Sequence, residues 1–398
     1  MRCRHKSVSR RYVLSMTKRN LGWVVAAVLW FVFFLPRHAG GQSSDPADAI
    51  ALENQGKLVE AAQAWRAVIQ KSPNDAAANA SLGVVLSKEQ KYKEAVSAYE
   101  KAIALNPNLP GLHLNLGLAE FKQGHFEAAI APLRAATAAD TQNHQAATLL
   151  GLSYYGAKHF SEAAKYLEAA AKADPDNAEL HQVLAQSCLW AKKYSCALDE
   201  FHLILQKSPD SASAHMLSGE ALDGLERTPE AIREFQAAEK ASPQEPNVHF
   251  GLGYLYWKSH QYDEARDEFQ KVLSLDPNHP QALTYLGDIE MKQTNQDEAL
   301  TLLRKAVEGK KDIRLAYIDI GAVLIQQKQY PQAVAALRRA VELDPAQPDA
   351  HYRLGRAYQA MGKAAESRKE FARVRELHEK SDEPLVLKIS ASPPPLDQ

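Results

Sequence analysis

Residues 246–279 read PNVHFGLGYLYWKSHQYDEARDEFQKVLSLDPNH, and their reading decides the fold. Apolar side chains recur there at intervals of three and four: Val248, Leu252 and Leu255, then Ala265, Phe269 and Val272. This is the periodicity of two amphipathic helices, predicted over 247–259 and 263–275. Small residues at Gly253 and Ala265 let the two backbones approach closely, leaving Phe269 to fill the gap to a neighbouring pair. Asp276-Pro277 stops the second helix, because proline lacks an N–H and disfavours helical backbone in the residue before it.

The same marks recur along the chain. Pro73, Pro107, Pro175, Pro209, Pro243, Pro277 and Pro345 fall on one 34-residue grid, whose remaining points are Thr141 and Lys311. Placing this proline at position 32 defines ten units: 42–75, 76–109, 110–143, 144–177, 178–211, 212–245, 246–279, 280–313, 314–347 and 348–381. Position 8 is glycine from the second unit to the tenth, except Ala185 in the fifth. Position 20 is alanine in the first nine units and Ser367 in the tenth, while position 24 is large and apolar from Trp65 to Phe371. Position 27 stays small or branched, as in Ala102, Ala136, Ala170, Val272 and Ala340. One helix pair cannot bury its own apolar face, so stability must come from stacking neighbours. The ends differ as caps should. The first unit has a shortened first helix entered through Asp45-Pro46, and the last helix, over 364–379, carries Arg368, Lys369, Glu370, Arg373, Arg375 and Glu376. The tail 382–398, with Ser392-Pro393-Pro394-Pro395, reads as flexible.

This pattern resembles the tetratricopeptide repeat over about 340 of the 398 residues. The resemblance implies an all-α fold, a right-handed superhelical α-solenoid whose concave wall is lined by the first helix of each unit. It implies a non-catalytic protein-interaction scaffold, and no stretch outside the repeats is long enough for a catalytic domain. In the family, positions 2, 5, 9, 12 and 13 face the groove. Here they supply Leu114, Leu118 and Phe121 in the third unit, and Leu152 and Tyr155 in the fourth. The fifth adds Leu189 and Trp190, the sixth Met216 beside Glu220 and Asp223, and the seventh Phe250, Tyr254 and Trp257. Such an apolar, aromatic wall anchors a peptide or protein partner, with packing against the preceding helix as the alternative role for some of these side chains. The family's two-carboxylate clamp is missing: Ala80, Val84, Gln145 and Leu149 stand at four of its positions, and only Asn115 matches. Asn115 also stands alone where an asparagine ladder would run.

Charge narrows the partner further. Residues 1–41 hold 8 of the 47 basic residues and no acid, leaving 39 against 48 acidic ones, a charge of -9 on the remainder. A body that acidic is a poor phosphate binder, so no nucleic acid is expected. Residues 21–35, LGWVVAAVLWFVFFL, carry no charge and follow a basic stretch. Fifteen residues suit a signal-peptide core better than a full bilayer span. Cleavage near Gly41 and export of the repeats to the periplasm or outside the cell is expected. The alternative is an uncleaved anchor, with the same body acting as a membrane-anchored assembly factor or a non-catalytic subunit of an envelope complex. Met16 offers an alternative start, and Ser9-Arg10-Arg11-Tyr12-Val13-Leu14 resembles a twin-arginine signal set too far from the apolar run.

The chemistry-bearing residues fall into repeat positions. Gly151-Leu152-Ser153-Tyr154-Tyr155-Gly156 has one residue too many for a nucleophile elbow, and Gly251-Leu252-Gly253 sits inside a predicted helix, not at a strand end. His113, His181, His215, His249 and His351 all occupy position 4. Neighbouring repeats lie on the order of 10 Å apart, too far for two such rings to share an ion, so these histidines are read as packing residues. No metal or cofactor is expected. Cys188 and Cys196, at positions 11 and 19 of the fifth unit, read as small apolar fillers, with a disulfide possible if their Cα atoms lie within about 7 Å.

Overall fold

The computed structural model describes residues 45–381. Helices follow one another in pairs, with no strand among the described residues. The first five pairs are α1 (Pro46–Asn54) with α2 (Leu58–Lys71), α3 (Ala76–Lys88) with α4 (Tyr92–Leu105), α5 (Leu112–Lys122) with α6 (Phe126–Ala139), α7 (His144–Gly156) with α8 (Phe160–Ala173), and α9 (Ala178–Trp190) with α10 (Tyr194–Lys207). Then come α11 (Ala212–Gly224) with α12 (Thr228–Ala241), α13 (Pro246–Lys258) with α14 (Tyr262–Leu275), α15 (Pro280–Lys292) with α16 (Gln296–Gly309), α17 (Arg314–Gln326) with α18 (Tyr330–Leu343), and α19 (Pro348–Ala360) with α20 (Ala364–Ser381). Each helix packs mainly on its two neighbours in the chain, which makes the molecule an α-solenoid.

Apart from α1 and α5, helix starts lie one residue earlier than the periodicity predicts, and caps mark several of them. Asp75, Asn143, Asn177 and Ser211 each accept a backbone N–H of the helix that follows, and Pro246, Pro280 and Pro348 sit in the first turn, where a missing N–H costs nothing. Between the two helices of each pair, position 15 takes a left-handed conformation. It is glycine only at Gly56, Gly124 and Gly362; Gln90, Lys158, Lys192, Glu226, His260, Thr294 and Lys328 adopt it with φ between 59° and 70°. The stop it makes is shown after α13, where Gln261 N–H donates to Tyr256 O at 2.9 Å and His260 N–H to Trp257 O at 3.0 Å.

The core runs the length of the array. Ala61, Ala95, Ala129, Ala163, Ala197, Ala231, Ala265, Ala299 and Ala333 are fully buried where the two helices of a pair cross. A Cβ at Gly253 would lie 2.7 Å from the Phe269 ring, so position 8 must be bare for position 24 to enter. At the C-terminal end the exposed Arg368 and Lys369 of α20 face water, and Ser367 Oγ donates to Gly355 O at 2.9 Å. The segment 21–35, the expected cleavage point near Gly41 and the tail 382–398 lie outside the described residues. Among the described residues no helix is long and apolar enough to cross a membrane.

Candidate functional site

The odd-numbered helices, which touch one another from repeat to repeat, form one wall of the stack. In the third repeat Leu114, Leu118 and Phe121 are half-buried, Leu114 and Phe121 beside the core of Leu133 and Leu150, with Phe121 edge-on to Phe126 at 5.5 Å. Leu152 and Tyr155 of α7 are half-buried beside Leu167 and Leu184. Tyr155 donates its hydroxyl to Gln186 Oε1 at 2.5 Å and stacks on Trp190 at 5.7 Å. Trp190, also 4.8 Å from Phe160, is 42% exposed and is the most open aromatic ring of repeats three to seven. Leu189 corrects the expectation: it is 6% exposed and belongs to the core, not the groove. Adjacent helical residues point about 100° apart, so Trp190 on the wall turns Leu189 inward.

Further along, Met216 is half-buried against the core of Phe235 and Leu252. Asp223 is paired with Lys258 at 2.6 Å. Phe250, Tyr254 and Trp257 are brought together by a residue of the next repeat, Tyr285, whose ring lies 6.0, 5.9 and 4.9 Å from theirs. Tyr285 in turn stacks on Phe269 at 5.4 Å, and the Trp257 indole N–H donates to Asp288 at 2.5 Å. These three rings therefore share their surface between the groove and the junction of repeats seven and eight.

Beyond that junction the wall closes. Thr284, Tyr285 and Asp288 on α15, and Ile318, Asp319 and Ala322 on α17, are all buried, and these two helices touch each other more closely than any other pair of first helices. The closure encloses charge. Lys292 pairs with Asp288 while its ammonium lies 5.6 Å over the Trp257 ring. Asp319 is 3% exposed and its Oδ2 has no hydrogen-bond partner. Burial, and then the nearby Asp288 carboxylate, push the Asp319 carboxyl well above the usual range.

The position-4 histidines pack between helices, with His181, His249 and His351 buried, and four of the five also make polar contacts that the packing reading did not include. Nδ1 of His181 lies 2.5 Å from Glu200, that of His215 2.7 Å from Glu234, that of His249 2.8 Å from Glu268, and that of His351 2.6 Å from Glu370. Nε2 of the first three reaches back to the repeat before, 3.0 Å from Pro175 O, 2.8 Å from Pro209 O and 2.9 Å from Pro243 O. The glutamate is always at position 23, and its pairing with position 4 was legible: repeats five, six, seven and ten alone carry it, and all four carry the histidine. His113 faces no such partner because position 23 of its repeat is Pro132. Around His249, ligand atoms of Glu239, His249 and Glu268 lie within 4.8 Å of one another. A cation already serves them, since Lys271 Nζ sits 2.8 Å from both glutamates. Burial pulls that ammonium down, but the two hydrogen bonds outweigh it and hold Lys271 raised.

Cys188 and Cys196 are joined as a disulfide between α9 and α10, with Cα atoms 5.8 Å apart. The bridge fastens the helix that presents Trp190 to its own partner helix.

Stacked helix pairs with a partly open aromatic wall define a repeat scaffold. Profiles described as TPR repeat match residues 86–124 and 321–362, and profiles described as tetratricopeptide repeat match 114–178, 154–221, 250–312 and 349–381. The chain belongs to the tetratricopeptide repeat family. No curated protein matches it. Among solved structures it is similar to YrrB, described as a TPR protein with an unusual peptide-binding site, at 20% identity over 48% of this chain and 98% of that one, TM-score 0.38. It is also similar to a structure titled MamA MSR-1 C2, at 27% identity over 42% and 95%, TM-score 0.37. MamA 41-end from Desulfovibrio magneticus RS-1 matches at 22% identity over 42% and 95%, TM-score 0.38.

Proposed function

We propose that this protein is a non-catalytic scaffold that holds a peptide or protein segment on the concave wall of repeats three to seven. The observation that carries the reading is the Tyr155–Trp190 stack, an aromatic platform with its outer ring 42% exposed in the middle of the wall. A rigid aromatic of this kind, set among half-buried apolar neighbours, is what anchors a partner side chain and excludes water around it. Repeats eight and nine, where the wall closes, end the groove.

The array works outside the cytoplasm in this reading, exported after cleavage near Gly41 or held at the membrane by residues 21–35. The basic stretch followed by an uncharged apolar run supports it, as does a disulfide, which persists in oxidising compartments. N-terminal sequencing of the mature chain checks the first form; a chain starting upstream of residue 21 contradicts it. The binding reading is tested by capture from native extract with the full chain and its Trp190→Ala variant, shown equally helical by circular dichroism. A partner kept by the parent and lost by the variant supports the wall. Equal capture puts the binding on another face.

A further inference from the structure

Three successive junctions of the array share one contact that counts protons. At each, the position-4 imidazole meets a glutamate of its own repeat through Nδ1 and the closing proline carbonyl of the repeat before through Nε2. A carbonyl oxygen only accepts, so Nε2 carries a hydrogen. An ionised carboxylate also only accepts, so the Nδ1–glutamate contact holds a second hydrogen, whichever of the two atoms bears it. Each cluster therefore contains one proton more than a neutral imidazole beside a carboxylate. Its release leaves either Nδ1 or Nε2 as a bare lone pair facing an acceptor at 2.5–3.0 Å. Little water reaches two of these rings, His181 being 8% exposed and His249 3%.

We propose that His181, His215 and His249 form a proton-dependent clasp across the junctions of repeats four to seven, closed while the proton is held and loosened when it leaves. Histidine is the side chain whose charge changes near neutral pH, and three in series make the response of the array steeper than that of one. The charged surroundings differ from ring to ring. His249 faces Glu268 and Lys271 from α14 and Glu239 from α12. The positions equivalent to Glu239 are Ala171 before His181 and Leu205 before His215, and those equivalent to Lys271 are Leu203 and Ala237, none of which carries a charge. His351 provides an internal comparison: it has Glu370 on Nδ1, but its buried Nε2 has no acceptor, so it clasps no neighbour. Loss of the proton removes one hydrogen bond at each junction, so the clasps loosen as it leaves. The inference concerns stacking and stands whether or not the wall binds a peptide.

Hydrogen exchange on the full chain, read from pH 5.5 to 8.5 and divided by the intrinsic rate at each pH, tests it. The turns at 173–184, 207–218 and 241–252 are expected to lose about tenfold protection across that range, the equivalent of one hydrogen bond each, while the turn around His351 changes less. In His215→Gln, whose amide donates without titrating, the response at 207–218 disappears and the other two persist. Flat protection at all three turns of the parent overturns the proposal, and so does a pH response at 207–218 retained by the variant. If the variant fails to fold, the parent profile alone decides.

Discussion

The ring of Phe235 on α12 lies against the Cα of Gly251 on α13, so close that a Cβ at Gly251 would fall inside the ring's contact distance. Gly219 of its own repeat flanks the same ring from the other side. Phe235 is thus gripped by two bare backbones, one from each repeat, at the junction of repeats six and seven. Gly251→Ala should lower stability by about 1–3 kcal/mol, the usual cost of overpacking a filled site. Adding Phe235→Leu, the residue that Leu133 and Leu167 already supply at this position, should recover part of the loss. Urea unfolding followed by helicity reads both changes; an unaltered Gly251→Ala curve contradicts the packing account.

Thr294 carries a β-branched side chain at φ 70°, a conformation that L-residues with branched Cβ atoms rarely hold. Thr294→Gly should therefore stabilise the eighth repeat by about 1 kcal/mol, the relief of left-handed strain less the entropy glycine loses on folding. A lowered thermal midpoint would show that the threonine side chain makes contacts worth more than the strain.

The bridge Cys188–Cys196 closes a short loop, with a sequence separation of 8. On loop entropy its loss should cost about 2–3 kcal/mol, felt mainly in the fifth repeat. Unfolding with and without reductant, beside a Cys188→Ser, Cys196→Ser chain, measures it. Thiol titration of the native protein should find neither cysteine free.

Asp319 sets a pH dependence of opposite origin to that of an ion-paired acid. Its folded carboxyl is raised, by burial first and then by Asp288, so the folded chain keeps a proton that the unfolded chain loses near pH ~3.9. Its contribution is greatest below that pH and falls as pH rises, until the buried carboxyl itself ionises. Asp319→Asn should remove this slope and leave the array as stable as the parent, or more so, at pH 7. A variant that is less stable at pH 7 would mean that the carboxylate is ionised and paired.

What was legible in the sequence is what repeats. Gly253, Ala265 and Phe269 recur in register because each enforces a steric condition that every unit must meet, so fold class and helix pairs could be read from one unit and checked on the others. The wall was legible only in part. Tyr285 takes up Phe250, Tyr254 and Trp257 through the angle between repeats seven and eight, a quantity no position within a unit encodes. Leu189 and Trp190 are adjacent, and the pattern of one unit does not say which of them is buried and which is exposed. The histidine clasps left a readable trace, the coupling of positions 4 and 23, which is visible only when charged positions are compared between units as carefully as apolar ones.

The most direct test of the binding account is site-specific photocrosslinking in the full chain. A benzophenone side chain replaces half-buried Leu118 on the wall in one protein, leaving Trp190 in place, and Leu203, 42% exposed on α10, in another. The account predicts a discrete crosslinked partner from position 118 and none from position 203. A partner crosslinked from 203 and not from 118 would contradict it.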